Sequence, residues 1–562
     1  MSYLDRPRLH FAGRFQTTVS TVNNTPKNFD TANFTPKQQE HGDGLGGWNP
    51  RGTAIWRIVD CTVRRACYSD GTDATDPADD PIIGARLLNA DNRVDAKLVD
   101  LDPQQQTVSE IWAWRLRLAL PGGRVAWAGE YHVAAFTDMW KRFAAGPGDT
   151  DSVLSACYQS LIGPLEWGEV GESRLLRELR DASPDQLAIK IIVDGYVDDR
   201  KQPDFTYGRI VGTIGPAAPG EPAQALMGRM LRPTAKSPLS YAYARADAKR
   251  GRLTLDMGNS VPSTSVGGPP DPKVGALALA VPAAEAGEYE QLGTIDYSEA
   301  AYLSTAGVQD FSATADQLAK PLAIIRPPSS KGATPLLAEH PSGQYVRADQ
   351  FVFRLNPLDA ERPSLGDAPT VEIIATRFGE AAARQRIDLA LTDALAPEAG
   401  DPPTGTPAAA LGFPPSVVTD DDGRAHFTLS ASDPGNPRGY IDGQVYALGY
   451  TWHGAPPDPD ANPSNFISVR VWQNHPHVAE PTWWSDIFPI FKQYANLYPV
   501  MRTIVDLGDY QAVLKRNDLL TLVFGLPEHD PNAMPTMRDL SRSKRDLIRR
   551  WLENPLEGQR EG

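Results

Sequence analysis

Cysteine, positive charge and long apolar runs are all scarce in this sequence. Among 562 residues there are three cysteines, Cys61, Cys67 and Cys157. Such an odd, sparse set does not suit a disulfide framework and is typical of reduced thiols in the cytosol. No apolar run approaches the roughly 20 residues of a membrane-spanning helix, and the N-terminus shows no signal-peptide pattern. These absences predict a cytoplasmic protein with no membrane span.

Common catalytic and nucleotide-binding patterns are missing as well. The chain contains no Gly-x-Ser-x-Gly, no Walker loop and no His-Glu-x-x-His, which removes the simplest arguments for a serine hydrolase, an NTPase or a zinc protease. Cys-x-x-Cys-His is absent too, so we predict no covalent haem. The net charge of −15 at pH 7 argues against nucleic acid or an anionic membrane as the main partner.

Proline and glycine, in contrast, are abundant, with 50 and 47 residues. This composition is typical of many short strands and turns, and the length allows several domains. We therefore predict a mainly β, multidomain protein of β-sandwich or barrel units, with an immunoglobulin-like domain and a short C-terminal helical tail. The predicted units are an N-terminal β-rich domain at 1–235, a second β-rich region at 236–365, the immunoglobulin-like β-sandwich at 366–474 and the helical tail at 475–562.

The opening segment, residues 1–24, predicts one long, half-buried strand. Phe11 and Phe15 have the spacing of residues on one strand face, and Gly13 between them is the expected site of a β-bulge. His10 lies in the same strand. A strand histidine with aromatic neighbours is usually a hydrogen-bonded core residue, so we expect that role for it rather than catalysis.

The same opening carries a resemblance to a known family. Residues 4–13 read Leu-Asp-Arg-Pro-Arg-Leu-His-Phe-Ala-Gly, and shorter matches follow in the family's order at 84–87, 99–105 and 228–233. This pattern resembles the N-terminal, non-ferritin half of the violacein-biosynthesis and chromopyrrolate-synthase (iminophenyl-pyruvate dimer synthase) proteins. In that family a ferritin-like, iron-binding helical half follows, and the whole protein couples two oxidised aromatic amino acids.

The resemblance does not extend to the chemistry of that family. A ferritin-like site needs Glu-x-x-His pairs on facing helices, and this chain has no Glu-x-x-His. The resemblance therefore implies a non-catalytic binding or scaffolding relative in natural-product biosynthesis, acting with a separate redox enzyme.

Residues 418–429 resemble the Thr-Asp-x-x-Gly-x-Ala-x-Phe hairpin of bacterial immunoglobulin-like sandwiches. Asp422-Gly423 predicts the tight turn, and Ala425 and Phe427 alternate toward one face. We therefore expect a hairpin here, inside the predicted sandwich.

The tail predicts helices at 483–494, 510–524 and 542–552, and the basic face of the third is expected to be solvent-exposed. Met534-Pro535 resembles the segment of small c-type cytochromes that supplies the axial methionine. Because no haem-attachment motif is present, we expect Met534 to pack in the core of the tail.

Four further segments have local predictions. Residues 136–143 and 153–161 have the apolar spacing of short helices. Residues 208–215 carry glycines at a spacing close to that of a phosphate loop, but the pattern is incomplete and no helix follows, so a buried strand is predicted. The polar stretch 25–52 predicts a long surface loop.

The best metal candidate is His475-Pro476-His477. Two imidazoles two residues apart on an extended segment point to the same side and can chelate a transition metal such as zinc or copper. His453 follows a neighbouring strand and Glu480 is close in sequence, so either could supply a third ligand. Because two histidines alone do not make a site, the preferred interpretation is a pair of loop histidines where the sandwich meets the tail.

Three hypotheses of function remain open. The first is the non-catalytic binding or scaffolding protein, whose partner is a redox enzyme or a small aromatic molecule. The second is a metal-dependent oxidoreductase acting on a substrate derived from an aromatic amino acid, with its metal at His475 and His477. The third is a structural component of a protein assembly, for which a homo-oligomer is the natural form. No catalytic residue is assigned in any of them.

Overall fold

The computed structural model describes residues 2–18, 31–32, 34, 52–91, 93–102, 105–143, 146, 151–199, 201–235, 237–285, 287–327, 335–397, 402–439, 441–455 and 461–560. Over these ranges the protein is mainly β, with several sheets and a short set of C-terminal helices, so the predicted fold class is confirmed. The loop predicted at 25–52 lies almost wholly outside the described residues. In the described part of the chain, no helix has the length and apolar character needed to cross a membrane.

A 12-stranded antiparallel sheet forms the N-terminal unit. Its strands are β1 (Arg8–Thr17), β2 (Ile55–Cys67), β3 (Asp73–Ala74), β4 (Arg86–Asn89), β5 (Ala96–Asp102), β6 (Gln105–Trp112), β7 (Arg115–Ala119), β8 (Val125–Tyr131), β9 (Ala134–Lys141), β10 (Leu154–Trp167), β11 (Leu187–Asp194) and β12 (Tyr207–Pro216). The order β1-β12-β11-β10-β8-β7-β4-β2 closes on itself because β1 also pairs with β2. A second arm, β5-β6-β9, joins the other ends of the long strands β2 and β10. The sheet is therefore a closed barrel.

The glycines of β12 make room for the aromatic rings of β1. A Cβ atom at Gly208 would lie 2.3 Å from the ring of Phe15, and one at Gly212 would lie 2.4 Å from the ring of Phe11. Contacts that short do not occur, so larger residues would push β1 away from β12. The strand predicted at 208–215 is confirmed, and its glycines are explained by ring packing.

The predicted bulge at Gly13 is also confirmed. The register between β1 and β2 shifts at this residue, and a Cβ atom here would lie 2.6 Å from the Cα of Cys61. His10 is buried, with Nδ1 2.9 Å from the hydroxyl of Thr213. Burial lowers the pKa of this histidine, as does the neighbouring Arg8 guanidinium. His10 is thus the hydrogen-bonded core residue that its surroundings in the sequence predict.

Two segments predicted as helices are strands. Residues 136–143 and 153–161 fall largely in β9 and β10, which pair with each other. Because most of β9 is buried on both faces, it lacks the polar face whose alternation would have revealed a strand. The helix α1 (Arg174–Ala182) begins at Ser173, whose hydroxyl accepts from the N–H of Leu176 at 3.2 Å.

An eight-stranded antiparallel sheet follows the barrel. Its strands are β13 (Arg229–Pro233), β14 (Ala242–Asp247), β15 (Arg252–Asp256), β16 (Leu277–Pro282), β17 (Tyr289–Ile295), β18 (Val308–Ser312), β19 (Ala323–Ile325) and β20 (Leu337–Glu339), with two short helices, α2 (Glu299–Thr305) and α3 (Ala315–Leu318). Asp310 of β18 forms ion pairs with Arg6 and Arg8 at 2.7 and 2.9 Å. This sheet therefore covers the outer face at the start of β1, which is buried on both faces there rather than half-buried as predicted.

Two facing sheets form the sandwich. One contains β21 (Gln344–Ala348), β23 (Thr370–Arg377), β24 (Glu380–Ala381) and β28 (Arg424–Thr428); the other contains β22 (Val352–Leu355), β25 (Arg386–Thr392), β27 (Ser416–Val418), β30 (Gln444–Trp452) and β31 (Ile467–Val471); β26 (Leu411–Gly412) pairs with β29 (Ser430–Ala431). Buried side chains of both sheets, such as Val371, Phe427, Tyr446 and Val469, share one core. This two-sheet architecture is the predicted immunoglobulin-like sandwich.

The segment 418–429 turns where predicted but does not form a hairpin. Gly423 has φ +72° and donates to the carbonyl of Asp420 at 3.2 Å, and Ala425 and Phe427 are buried. However, β27 pairs with β25, whereas β28 pairs with β23 in the opposite sheet. The turn therefore crosses from one sheet to the other, and the predicted hairpin is wrong.

The tail contains α4 (Phe488–Leu497), α5 (Tyr510–Leu514), α6 (Asn517–Gly525) and α7 (Arg542–Glu553), with a π-helical turn at Trp483–Ile487 and a 3-10 turn at Pro499–Thr503. The single helix predicted at 510–524 is thus two helices. Trp483 is fully buried, and its ring contacts aromatic rings of α4, α5 and α7. The helices therefore pack around one small aromatic core.

The predicted domain limits remain predictions. Strand pairing places β13, which precedes residue 236, in the second sheet. It also places β21 and β22, which precede residue 366, in the sandwich.

Candidate ligand-binding cavity

A cavity of about 420 Å³ lies where the helical tail meets the edge of the barrel. Its walls are α4, α6, the 3-10 turn after α4 and the segment Pro531–Leu540. Residues of β5, of the segment before β5 and of the segment before β2 border it on the barrel side. Small-molecule pockets typically measure roughly 300 to 1,000 Å³. The cavity is therefore large enough for a small organic ligand.

The cavity lining is mainly apolar and aromatic. The side chains that supply it include Phe491, Tyr494, Tyr498, Met501, Ile504, Leu507, Leu519, Leu520, Val523, Phe524, Met534 and Met537. Val94, Ile504 and Leu519 border the cavity and remain 44%, 47% and 36% exposed; we call the rim that they form the mouth of the cavity. Large apolar side chains that surround a concave surface and remain exposed are typical of a binding site.

One arginine organises the loop wall of the cavity. The guanidinium of Arg538 donates to five backbone carbonyls at 2.7–3.2 Å, those of Glu528, Asp530, Ala533, Pro535 and Thr536. These bonds fix the loop that carries Met534, which packs against the tail core as predicted and also lines the cavity. The loop is thus a shaped wall held by a buried side chain.

The phenol of Tyr494 is paired within the protein. Its hydroxyl donates to the carboxylate of Asp539 at 3.0 Å. Burial and the neighbouring carboxylate raise the pKa of Tyr494 well above its ordinary value. Burial also raises the pKa of Asp539. Tyr494 therefore stays un-ionised at neutral pH and offers the cavity mainly its ring.

Among the described residues that line the cavity, only Lys97 on β5 has a charged side chain. Its Nζ donates to the carbonyl oxygen of Thr53 at 3.2 Å. Burial lowers the pKa of Lys97, and the nearby Arg538 guanidinium lowers it further. The site therefore combines an apolar interior with one ammonium group.

The three histidines proposed as metal ligands lie in different surroundings. His475 is half-buried, and its backbone N–H donates to the hydroxyl of Ser543 at 3.1 Å. Burial lowers the pKa of its imidazole, as does the charge of Lys544. His477 is exposed. The exposed His453 has Nδ1 2.7 Å from a carboxylate oxygen of Asp388.

The topology explains why His453 is remote from the other two. β30 and β31 are antiparallel, with Gln444 opposite Val471. His475 follows the end of β31 beside Gln444, whereas His453 follows the other end of β30. A nine-residue strand spans about 25 to 30 Å. Among the described residues, no group of three or more His, Cys, Asp or Glu side chains is arranged to hold a metal ion.

The basic face of α7 was predicted to be solvent-exposed, and this is wrong for part of it. Arg542 pairs with Asp367 at 2.5 Å, and Lys544 pairs with Asp442 at 2.9 Å. Both carboxylates belong to the sandwich unit, so these cations attach the tail to it. Arg549 is exposed as predicted.

Sequence reasoning did not identify the cavity. A usable signal was present in the sequence of α6, Asn-Asp-Leu-Leu-Thr-Leu-Val-Phe-Gly, which has more large apolar residues than one buried helix face can hold. Apolar residues on both sides of a short amphipathic helix indicate a second apolar surface besides the core. The contribution of β5 to the site had no such signal, because it depends on how the tail folds back onto the barrel.

No family model matches this chain, and no curated protein matches it. A two-domain protein of unknown function from Bacteroides fragilis is 12% identical over 24% of this chain and 47% of that chain, with a TM-score of 0.17. The D0-D1 domain of intimin is 10% identical over 40% of this chain and 90% of that chain, with a TM-score of 0.14. Salmonella alpha-2-macroglobulin reacted with methylamine is 12% identical over 84% of this chain and 28% of that chain, with a TM-score of 0.14. Likenesses this weak carry no argument about function.

Proposed function

We propose that this chain is a non-catalytic binding protein for a small, mainly apolar molecule with an aromatic body. The observation that carries the proposal is the cavity of about 420 Å³, whose lining is apolar and aromatic. Burying an apolar ligand there contributes roughly 25 cal/mol for each Å² removed from water. The rings of Phe491, Tyr494 and Phe524 line the cavity and can pack against an aromatic ligand edge to face or offset-stacked.

The proposal also includes a role in natural-product biosynthesis. The opening residues resemble violacein and chromopyrrolate proteins, whose substrates derive from aromatic amino acids. An aromatic intermediate of natural-product biosynthesis is therefore the ligand class that we favour, with a separate redox enzyme as the partner that makes or consumes it.

The test is titration of the full-length protein with N-phenyl-1-naphthylamine, a neutral aromatic fluorophore that brightens in apolar surroundings. We expect saturable binding at one site. Leu519→Trp places an indole at the mouth and should weaken binding by at least about tenfold, which corresponds to 1.4 kcal/mol. Leu522→Trp is the matched control, because Leu522 is on the same helix but does not line the cavity.

Two results would contradict the proposal. One is the absence of saturable binding to the wild-type protein. The other is an equal effect of the two tryptophan variants, which would place the fluorophore elsewhere. Thermal unfolding of both variants verifies that each remains folded.

A further inference from the structure

Three cations near the cavity form no ion pair with a carboxylate in the part of the chain that the structure describes. Lys97 donates to the carbonyl of Thr53, the guanidinium of Arg538 donates to backbone carbonyls, and Arg545 donates to the carbonyls of Phe524 and Leu526 at 3.4 Å. Among the described residues, none of the three forms an ion pair within 4.0 Å. Carbonyl dipoles compensate a positive charge only in part, so the charges of these three cations are not fully compensated by their hydrogen-bond partners.

The titration behaviour agrees with this geometry. Burial lowers the pKa of Lys97, and Arg538 is the next largest cause. Burial and then Arg545 lower the pKa of Arg538 to about 10. Glu528 acts in the opposite direction on both arginines, and Asp95 does so on Lys97. For Lys97 and Arg538, the neighbouring guanidinium thus affects the pKa more than the neighbouring carboxylate does.

Lys97 is the cation of the three that can reach a ligand. Arg538 is 3% exposed, and its donors hold the loop wall, whereas Lys97 lines the cavity. An ammonium group has three donors, and Lys97 uses one of them on Thr53. Asp95, its neighbour in the chain, lies 3.8 Å from Arg57 instead. Among the described residues, the other two donors of Lys97 have no protein acceptor, so a ligand that reaches the ammonium can accept from them.

We propose that the ligand is an amphipathic monoanion, with its apolar body inside the cavity and a carboxylate at the mouth paired with Lys97. This inference rests on the proposed function, because it requires the cavity to bind a small molecule. A carboxylate beside a partly buried ammonium forms a charge-assisted hydrogen bond, which is stronger than a bond between neutral groups. The carboxylate would also restore the charge balance that the protein lacks at this point.

The experiment compares two fluorescent probes with the same body, pyrene-1-butyrate and pyrene-1-butanol, on the full chain. Wild type should bind the butyrate more tightly. Lys97→Met should weaken butyrate binding by roughly tenfold or more, the usual worth of a charge-assisted hydrogen bond, and leave butanol binding unchanged. Lys97→Arg keeps the charge and should retain the preference. Lys515→Met removes an exposed lysine of the same tail and should change neither affinity.

The outcomes separate this inference from the proposed function. If neither probe binds, the proposed function fails and the inference fails with it. If both probes bind and Lys97→Met leaves their affinity ratio unchanged, the cavity binds apolar molecules but the inference is wrong. A Lys97→Met variant that weakens both probes equally also overturns it, because Lys97 would then support only the wall. Saturable butyrate binding with a preference that Lys97→Met abolishes and Lys97→Arg keeps supports the inference.

Discussion

Asp138 lies at the point where the barrel, the second sheet and the sandwich meet. Its carboxylate on β9 accepts from the hydroxyl of Tyr243 on β14 at 3.0 Å and from the amide of Asn462 at 2.6 Å. The guanidinium of Arg347 on β21 is 3.7 Å away. Asp138 and Arg347 are only 1% and 3% exposed. One buried carboxylate thus connects residues of all three β units.

Replacing Asp138 by Asn should destabilise the junction strongly. The substitution keeps the size of the side chain but leaves the charge of Arg347 buried without its counter-ion. Breaking a buried pair from one side typically costs about 3–5 kcal/mol. We expect a loss of about 3 kcal/mol, the lower end, because Arg347 keeps hydrogen bonds to Tyr243 and to the carbonyl of Thr137.

Urea unfolding followed by tryptophan fluorescence measures the effect. We expect Asp138→Asn to lower the urea midpoint of the first unfolding transition and to separate it from later transitions, because the three β units lose the carboxylate that connects them. Asp421→Asn is the control, since the Asp421–Arg384 pair is 82% exposed on both sides and should leave the midpoint unchanged. Equal midpoints for the two variants would refute the reasoning.

Three further predictions concern other titratable groups. Burial raises the pKa of Cys61 to about 12 and of Cys67 and Cys157 to about 11, so a thiol reagent at about pH 8 should label none of them until urea unfolds the chain; fast labelling of the native protein would contradict this. Burial alone would raise the pKa of Asp310, but Arg8 and then Arg6 hold it well below its usual range. Its ion pairs therefore stabilise the fold above the unfolded pKa of about 4 and lose that contribution as pH falls toward the folded value. Asp310→Asn should accordingly lower the free energy of unfolding at neutral pH and make it fall less steeply as the pH is lowered. An unchanged dependence on acid pH would contradict this prediction. If zinc or copper binds at His475 and His477, mass spectrometry should find the same metal content in the His453→Ala variant as in wild type. A lower metal content in that variant would place His453 at the site.

Local alternation predicted the strands whose two faces differ. In β28, Ala425 and Phe427 are buried while His426 between them is exposed, so the period of two is visible in the sequence. In β9 the same rule fails, because its register with β10 shifts between Phe136 and Asp138, so that Phe136 packs in the barrel core while Asp138 faces the junction with other units. A strand with two buried faces has no polar face to alternate. The prediction of a helix there was therefore an error that only tertiary context could correct.

Pairing partners were less predictable than the strands themselves. The Asp-Gly turn before Arg424 was correctly placed, but nothing in its local sequence says whether the following strand returns to the same sheet. The pairing is decided by Ile373 and Val371 of β23, which lie opposite Ala425 and Phe427 and come about 50 residues earlier in the sequence. A turn motif fixes local backbone geometry, whereas sheet membership depends on distant apolar surfaces.

The cavity follows from the same dependence on distant segments. Nothing in the local sequence distinguishes Arg538 from a surface arginine. It is nevertheless buried, and its guanidinium donates hydrogen bonds to five carbonyls of its own loop. With its donors used in this way, it shapes an apolar wall and contributes a positive charge that forms no ion pair with the described carboxylates. Lys97 reaches the same place from β5, more than 400 positions earlier in the chain. A small helical tail has too little interior to bury all of its large apolar side chains, so the surplus faces the barrel and leaves a cavity between them. The fold thus places an apolar space beside an ammonium that has no ion pair with any described residue, and this combination makes the tail, rather than the sheets, the expected site of ligand binding.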